Sequence, residues 1–132
     1  MKKKPAREID FEIAFYEGVL ARHPDYVEVL KVLGHLYTER GFFEKGLEID
    51  RHLARLLPAD PVVRYNLACS YALTAQPESA FEALEGAFEL GYRDWRHMEG
   101  DRDLESIRGD GRYGALVERM RGADRRSQDV AR

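Results

Sequence analysis

Residues 32–46, "VLGHLYTERGFFEKG", place Gly34 inside one apolar-periodic run, Gly46 inside the next, and Gly41 between them. A glycine in a helix interior costs about 1 kcal/mol relative to alanine, so two neighbouring helices that each carry one require a compensating contact. The run around Gly34, "DYVEVLKVLGHLYTER", has apolar residues at Val29, Leu30, Leu33, Leu36 and Tyr37, the three-and-four spacing of a helix with one buried face. The run around Gly46, "FFEKGLEIDRHLARLL", repeats that spacing at Phe43, Leu47, Ile49, Leu53, Leu56 and Leu57. Gly41 ends the first helix and Pro58 closes the second. In an antiparallel pair Gly34 and Gly46 fall where the axes approach most closely, and closer backbone packing offsets their low propensity.

The pair recurs. Shifting the chain by 34 residues lays Val29 on Val63, Leu33 on Leu67, Gly34 on Ala68, Tyr37 on Tyr71, Gly46 on Ala80, Leu47 on Phe81, Leu53 on Ala87 and Leu56 on Leu90. Alanines at the two glycine places show that the requirement is smallness, not a left-handed backbone. In the second unit Asp60 is placed to cap a helix with Pro61 in its first turn, and Pro77 opens the partner helix. The backward shift lays Ile13 on Leu47, Val19 on Leu53 and Pro24 on Pro58, so the periodicity begins before residue 27.

"VLGHLY…G…F…G…L…P" and "NLACSY…A…L…A" resemble the tetratricopeptide (TPR) repeat, a helix–turn–helix unit of 34 residues. The resemblance implies an all-α fold, a superhelix of antiparallel helix pairs, with repeats at 25–58 and 60–91, an orphan half-repeat helix at 9–23 and a capping segment at 92–121 in one domain. The ends, 1–8 and 122–132, read as flexible. Leu30 and Arg64 stand where the family has a bulky residue early in the first helix, and Tyr92 stands in place of a closing proline. Gly18 and Gly86 have no role in the repeat. The segment "GYRDWRHMEGDRDLESIRGDGRYGALVERM" resembles the degenerate terminal unit of many bacterial TPR proteins. Its apolar groups, Trp95 with Met98, Leu104 with Ile107, and Tyr113 with Leu116 and Met120, predict short helical turns that cover the last internal face. The expected core comprises Leu33, Tyr37, Leu47, Leu53, Leu67, Tyr71, Phe81, Leu84 and Phe88.

The 132 residues carry a net charge of −3, with 21 basic and 24 acidic side chains, so no global field favours nucleic acid or an anionic membrane. One cysteine, Cys69, excludes an intramolecular disulfide framework and suits a reducing compartment. The basic start "MKKKPAREID" runs into charged residues, not the apolar core of a signal peptide, and a cytoplasmic location is the expectation. No enzyme activity, cofactor or metal is expected. His23, His35, His52 and His97 show no ligand spacing, and Ser106 and Arg112 stand where a calcium loop starting at Asp101 needs Gly and Glu. Asp101, Asp103 and Glu105 read as capping carboxylates beside Arg102 and Arg108.

What remains is surface. In TPR proteins the first helix of each repeat lines a concave groove, and that implication carries over to Glu28, Lys31, His35 and Thr38 on one helix and to Val62, Tyr65, Asn66, Cys69 and Leu73 on the next. The expected function is a non-catalytic module that binds a protein or peptide partner there, with Lys31, Tyr65 and Asn66 exposed. The alternative is a regulatory subunit or secretion-type chaperone that holds one client. The carboxylate clamp of chaperone-binding TPR domains is matched at Lys31 and Asn66, while His35 and Gly100 depart from it.

"IDFEIAFYEGVLARHP" aligns with the second helix of a repeat whose first helix is absent. Its apolar residues sweep about 200° of a helical wheel, which is wider than one neighbour needs. Phe11 and Phe15 therefore point to an exposed patch, for a partner or for a second copy of the chain.

Overall fold

In the computed structural model, residues 4–130 are described, with side chains through residue 126. Eight helical elements and no strand are found among them. The sequence reading placed one domain over residues 9–121; the chain divides into two compact units, Met1–Pro58 and Ala59–Arg132, whose boundary falls between the two repeats.

The first unit holds α1 (Ala6–Arg22), α2 (Val27–Arg40) and α3 (Phe43–Leu56). Of the expected flexible start, residues 1–3 lie outside the described residues, and α1 begins already at Ala6. Gly41 ends α2 in the left-handed region, with φ of +81°, and its N–H donates to the Thr38 carbonyl. The core joins Ile9 and Ile13 of α1 to Leu33, Leu36 and Tyr37 of α2, with Tyr16, Leu20 and Ile49 packed against them. Polar ties fix the same contact: the Tyr37 hydroxyl donates to Glu17, and Arg40 Nε to Asp10 Oδ1 at 2.7 Å.

The close approach of α2 and α3 lies where the glycines predict it. A Cβ on Gly34 would stand 3.2 Å from Ile49 Cγ2, and one on Gly46 would stand 3.7 Å from Thr38 Oγ1 and 4.0 Å from the Gly34 carbonyl oxygen. Gly18, by contrast, is a helix-interior glycine with nothing within 4 Å of such a Cβ.

The second unit holds α4 (Pro61–Leu73), α5 (Pro77–Glu89), α6 (Trp95–Gly100), a 3-10 helix (Arg102–Ile107) and α7 (Gly111–Val130). Asp60 Oδ1 accepts the N–H groups of Val62 (2.9 Å) and Val63 (3.1 Å), the capping that "DP" predicts. Ala68 and Ala80, at the places of the two glycines, are fully buried. Leu67, Phe81 and Leu84 are core as expected, whereas Tyr71 and Phe88 are only half-buried. Phe88 is instead covered by cations: the guanidinium carbons of Arg93 and Arg119 lie 4.2 and 4.8 Å from its ring centre.

Two departures from the repeat pattern explain each other. A Cβ on Gly86 would come within 3.0 Å of Arg64 Nη1 and 3.4 Å of its Cγ, so the missing side chain of Gly86 seats the Arg64 that replaces the usual bulky residue. The terminal segment also keeps more of the period than its sequence shows. Phe43, Pro77 and Gly111, which begin α3, α5 and α7, are each 34 residues apart. Arg112 bonds Glu78, and Arg119 bonds Glu85, at that same spacing. Both partners advance by seven residues, so α5 and α7 run parallel. Met98, Leu104, Ile107, Leu116 and Met120 supply the buried apolar face, as the spacing predicted. Trp95 stays half-exposed, between Arg96 and Arg121 at 4.6 and 4.3 Å. The charged stretch from residue 122, expected as a flexible tail, continues α7 through Val130, and residues 131 and 132 lie outside the described residues.

Gly34→Leu should lower stability by about 1–3 kcal/mol through overpacking against Ile49. Urea unfolding with an unchanged midpoint would show that the glycine contact does not limit the approach of α2 and α3.

Candidate partner-binding site

Each repeat offers its first helix. On α2, Glu28, Lys31 and His35 are exposed at three- and four-residue spacing, with Val32 exposed beside them. His35 Nε2 lies 2.6 Å from Glu39 Oε1. Thr38 is half-buried and its hydroxyl donates to the Gly34 carbonyl at 3.2 Å, so it serves the helix more than the surface. On α4, Val62 and Asn66 are exposed, and Leu73 is half-buried.

Tyr65 and Cys69 correct the sequence reading. Tyr65 was expected on the open face, yet it is 3% exposed, and Cys69 is buried as well. Three residues of the terminal segment cover Tyr65. Tyr92 stacks on its ring at 4.5 Å with 5° between the planes, the His97 ring meets it edge-on at 5.7 Å, and its hydroxyl donates to Asp101 Oδ2 at 2.6 Å. Tyr92, the residue in place of a closing proline, is thus the stacking partner. The same Asp101 oxygen accepts Cys69 Sγ at 3.7 Å. Asp101 Oδ1 accepts the Asp103 N–H at 3.0 Å, which caps the 3-10 helix, and Arg108 Nη2 donates to the Asp101 carbonyl at 2.7 Å. The capping role read for Asp101 and the nearby Arg108 is therefore realised. The last turn of α4 is tied in too, since Ser106 Oγ donates to the Ala72 carbonyl at 3.2 Å.

Sequence reasoning missed this cluster because its bonded pairs lie up to 36 residues apart and no local motif joins them. The signal available was chemical: Asp101, opening a helical turn, has one more carboxylate oxygen than the cap consumes. Cys69, Asp101 and Asp103 bring one metal-type donor atom each within 4.8 Å of one another, the residues through which a cation would have to be held. The Tyr65 and Cys69 bonds to Asp101 account for the juxtaposition.

Burial, foremost, pushes the Tyr65 phenol well above its ordinary range, with the neighbouring Cys69 and the bond to Asp101 acting in the same direction. Burial likewise raises Tyr92, and Tyr37 is raised by burial and by its bond to Glu17.

Helix pairs at a 34-residue period, small residues at each closest contact and a capped end define a TPR-like helical repeat. The solved structure of MamA MSR-1 C2, a TPR-like protein, superposes with a TM-score of 0.69 over 91% of this chain and 70% of that one, at 19% identity. Two Arabidopsis thaliana proteins with TPR repeats are similar in sequence: a chloroplastic protein, 32% identical over 78 residues, and Protein CTR9 homolog, 45% identical over 53 residues. These alignments take in 57% and 40% of this chain and span only 23% and 5% of the relatives. No family model matches the chain.

Replacing Tyr65 with Phe should cost about 1.5–3 kcal/mol, because a carboxylate acceptor loses its donor. The pH dependence has a definite sign. The folded protein keeps the Tyr65 phenol protonated beyond about pH 10, where that of the unfolded chain ionises, so the stability it contributes is complete below that pH and is lost as pH rises above it. Urea midpoints should fall on the alkaline side, and less steeply in Tyr65→Phe than in wild type; equal slopes would contradict the buried tyrosine–aspartate bond.

Proposed function

We propose that the chain is a non-catalytic protein-interaction module that engages a protein or peptide partner through the first helices of its repeats. The observation that carries this reading is the exposure of Lys31 on α2 and Asn66 on α4, neither of whose side chains makes a hydrogen bond or ion pair within the chain among the described residues. A free ammonium takes a carboxylate, and a free amide donates to and accepts from a peptide backbone. Glu28, His35 and Val62 add charge and apolar contact beside them. Tyr65 and Cys69 act one layer below, where they hold α4 to the terminal segment and so fix the helix that presents Asn66. The likeness of the fold to TPR-like proteins supports the reading, since stacked helix pairs expose extended surfaces suited to chain recognition.

Phe11 and Phe15 support a second contact. They are 75% and 60% exposed on α1, which suits a regulatory subunit or secretion-type chaperone with one client, or a second copy of the chain. No described helix is long and apolar enough to cross a membrane. The small net charge supports protein over nucleic acid as the partner.

The test is a Lys31→Glu, Asn66→Ala double variant, compared with wild type for binding to a partner recovered from native lysate. Because both positions are exposed, the melting midpoint should stay at the wild-type value while affinity falls by about tenfold or more, equivalent to about 1.4 kcal/mol. Undiminished binding by the folded variant would place recognition elsewhere.

A further inference from the structure

We infer that the face of α1 formed by Phe11, Phe15 and Gly18 receives an amphipathic helix of a partner protein, which docks antiparallel where the first helix of a repeat would stand. By its period α1 is the second helix of a pair, since Ile13 and Val19 fall on Leu47 and Leu53. Its Ile9 and Ile13 pack on α2, and no described helix precedes it.

Three positions of α1 can be compared with their equivalents in the complete pairs. Phe15 lies 34 residues before Ile49, whose Cγ2 stands 3.2 Å from where a Cβ on Gly34 of α2 would be. Phe11 lies 34 residues before Lys45, whose ammonium is 5.6 Å from the centre of the Tyr37 ring on α2. Gly18 lies 68 residues, two periods, before Gly86, which seats Arg64 of α4. At each position the complete pair thus touches its own first helix. In α1 all three are open: both rings are exposed, and nothing lies within 4 Å of a Cβ on Gly18. A first helix at this face supplies the neighbour that Gly18 otherwise lacks.

The same equivalence states the chemistry of the occupant. Ala68 is the equivalent of Gly34 and Tyr71 of Tyr37, so the contacts of the first helix fall at Arg64, Ala68 and Tyr71, an i, i+4, i+7 set on one face. As that helix advances, the contact on α1 moves back from Gly18 to Phe15 to Phe11, which is the antiparallel sense. The docking helix therefore carries a long side chain for the Gly18 notch, a small residue opposite Phe15 and a large apolar or aromatic residue for Phe11. A second copy of α1 does not present that order, because its own open face reads large, large, small along Phe11, Phe15 and Gly18. Glu12, engaged by Lys4, stands where Gly46 and Ala80 are small, so the occupant lies farther out than α2 does from α3 and the two rings reach across to it. The inference rests on the reading of α1 as a second contact and is independent of Lys31 and Asn66.

The probe is a synthetic peptide of residues 60–74, which holds the Arg64, Ala68 and Tyr71 pattern, labelled at its N-terminus and followed by fluorescence anisotropy against the full chain up to about 1 mM. Binding should be saturable and weak, with a dissociation constant on the order of 100 μM, because a helix this short is ordered only on docking. Gly18→Leu fills the notch without meeting any neighbour, so its thermal midpoint should hold or rise while affinity falls about tenfold or more. Phe11→Ser with Phe15→Ser in the chain, and Ala68→Leu in the peptide, should weaken binding similarly. The Lys31→Glu, Asn66→Ala variant should bind the peptide as wild type does, which separates this contact from the one on α2 and α4. Absence of saturable binding overturns the proposal, as does a Gly18→Leu variant that binds the peptide undiminished. Sedimentation of the chain without peptide gives the remaining check: a dimer abolished by Phe11→Ser with Phe15→Ser would assign the face to a second copy and overturn the partner helix.

Discussion

How closely two antiparallel helices can approach sets the geometry of the first unit. A Cβ at Gly34 would already press on the Ile49 side chain, so the missing side chain lets Ile49 of α3 lie directly against α2. Leu33, Leu36 and Tyr37 are carried on the same helix and pack against Ile9 and Ile13 of α1. A wider α2–α3 pair would loosen Ile49 from that cluster. The second unit solves the same problem with alanine, and its Ala68 and Ala80 have no contact with water. Small residues there permit dispersion contact along the whole helix pair, which outweighs the propensity that the glycines forgo.

A second constraint is polar. One carboxylate, that of Asp101, caps the 3-10 helix with one oxygen and receives Tyr65 and Cys69 of α4 with the other. The arrangement decides which residues of α4 are open to a ligand. Tyr65 carries the largest ring on the expected groove face, yet its area is already used against Tyr92 and His97. The terminal segment thereby acts on the candidate surface indirectly, by removing an aromatic from it and leaving Asn66 and Val62 exposed.

The periodic part of the fold was legible because period, capping and smallness are local properties of the chain. Asp60 with Pro61, Gly41, and the Gly34–Gly46 pair each announce their structural role within a few residues. What was not legible depends on which faces are covered from a distance. The apolar stripe of α4 shows that one face is buried, but Tyr65 belongs to a second face, and the irregular segment after Leu90 packs on it. Arg64 and Gly86 looked like two unrelated departures, since a cation seated in a glycine notch leaves no periodic mark. The continuation of the 34-residue spacing into α7 was hidden by the break of the preceding helix into α6 and a 3-10 turn. Phe11 and Phe15 were the opposite case: their excess over what one neighbour can bury is visible on a helical wheel, and both are exposed.

The small-residue contacts also bear on how chains of this kind can recombine. Each repeat matches its own two members, glycine with glycine or alanine with alanine. If α4 were transplanted singly into the position of α2, the Ala68 methyl would arrive where Gly34 has only a hydrogen, 3.2 Å from Ile49 Cγ2. The reverse graft would leave a void where the buried Ala68 methyl stood. Shuffling, natural or engineered, should therefore succeed in steps of a whole helix pair, so that the heritable module is the contact between two helices and the individual helix is not an interchangeable part.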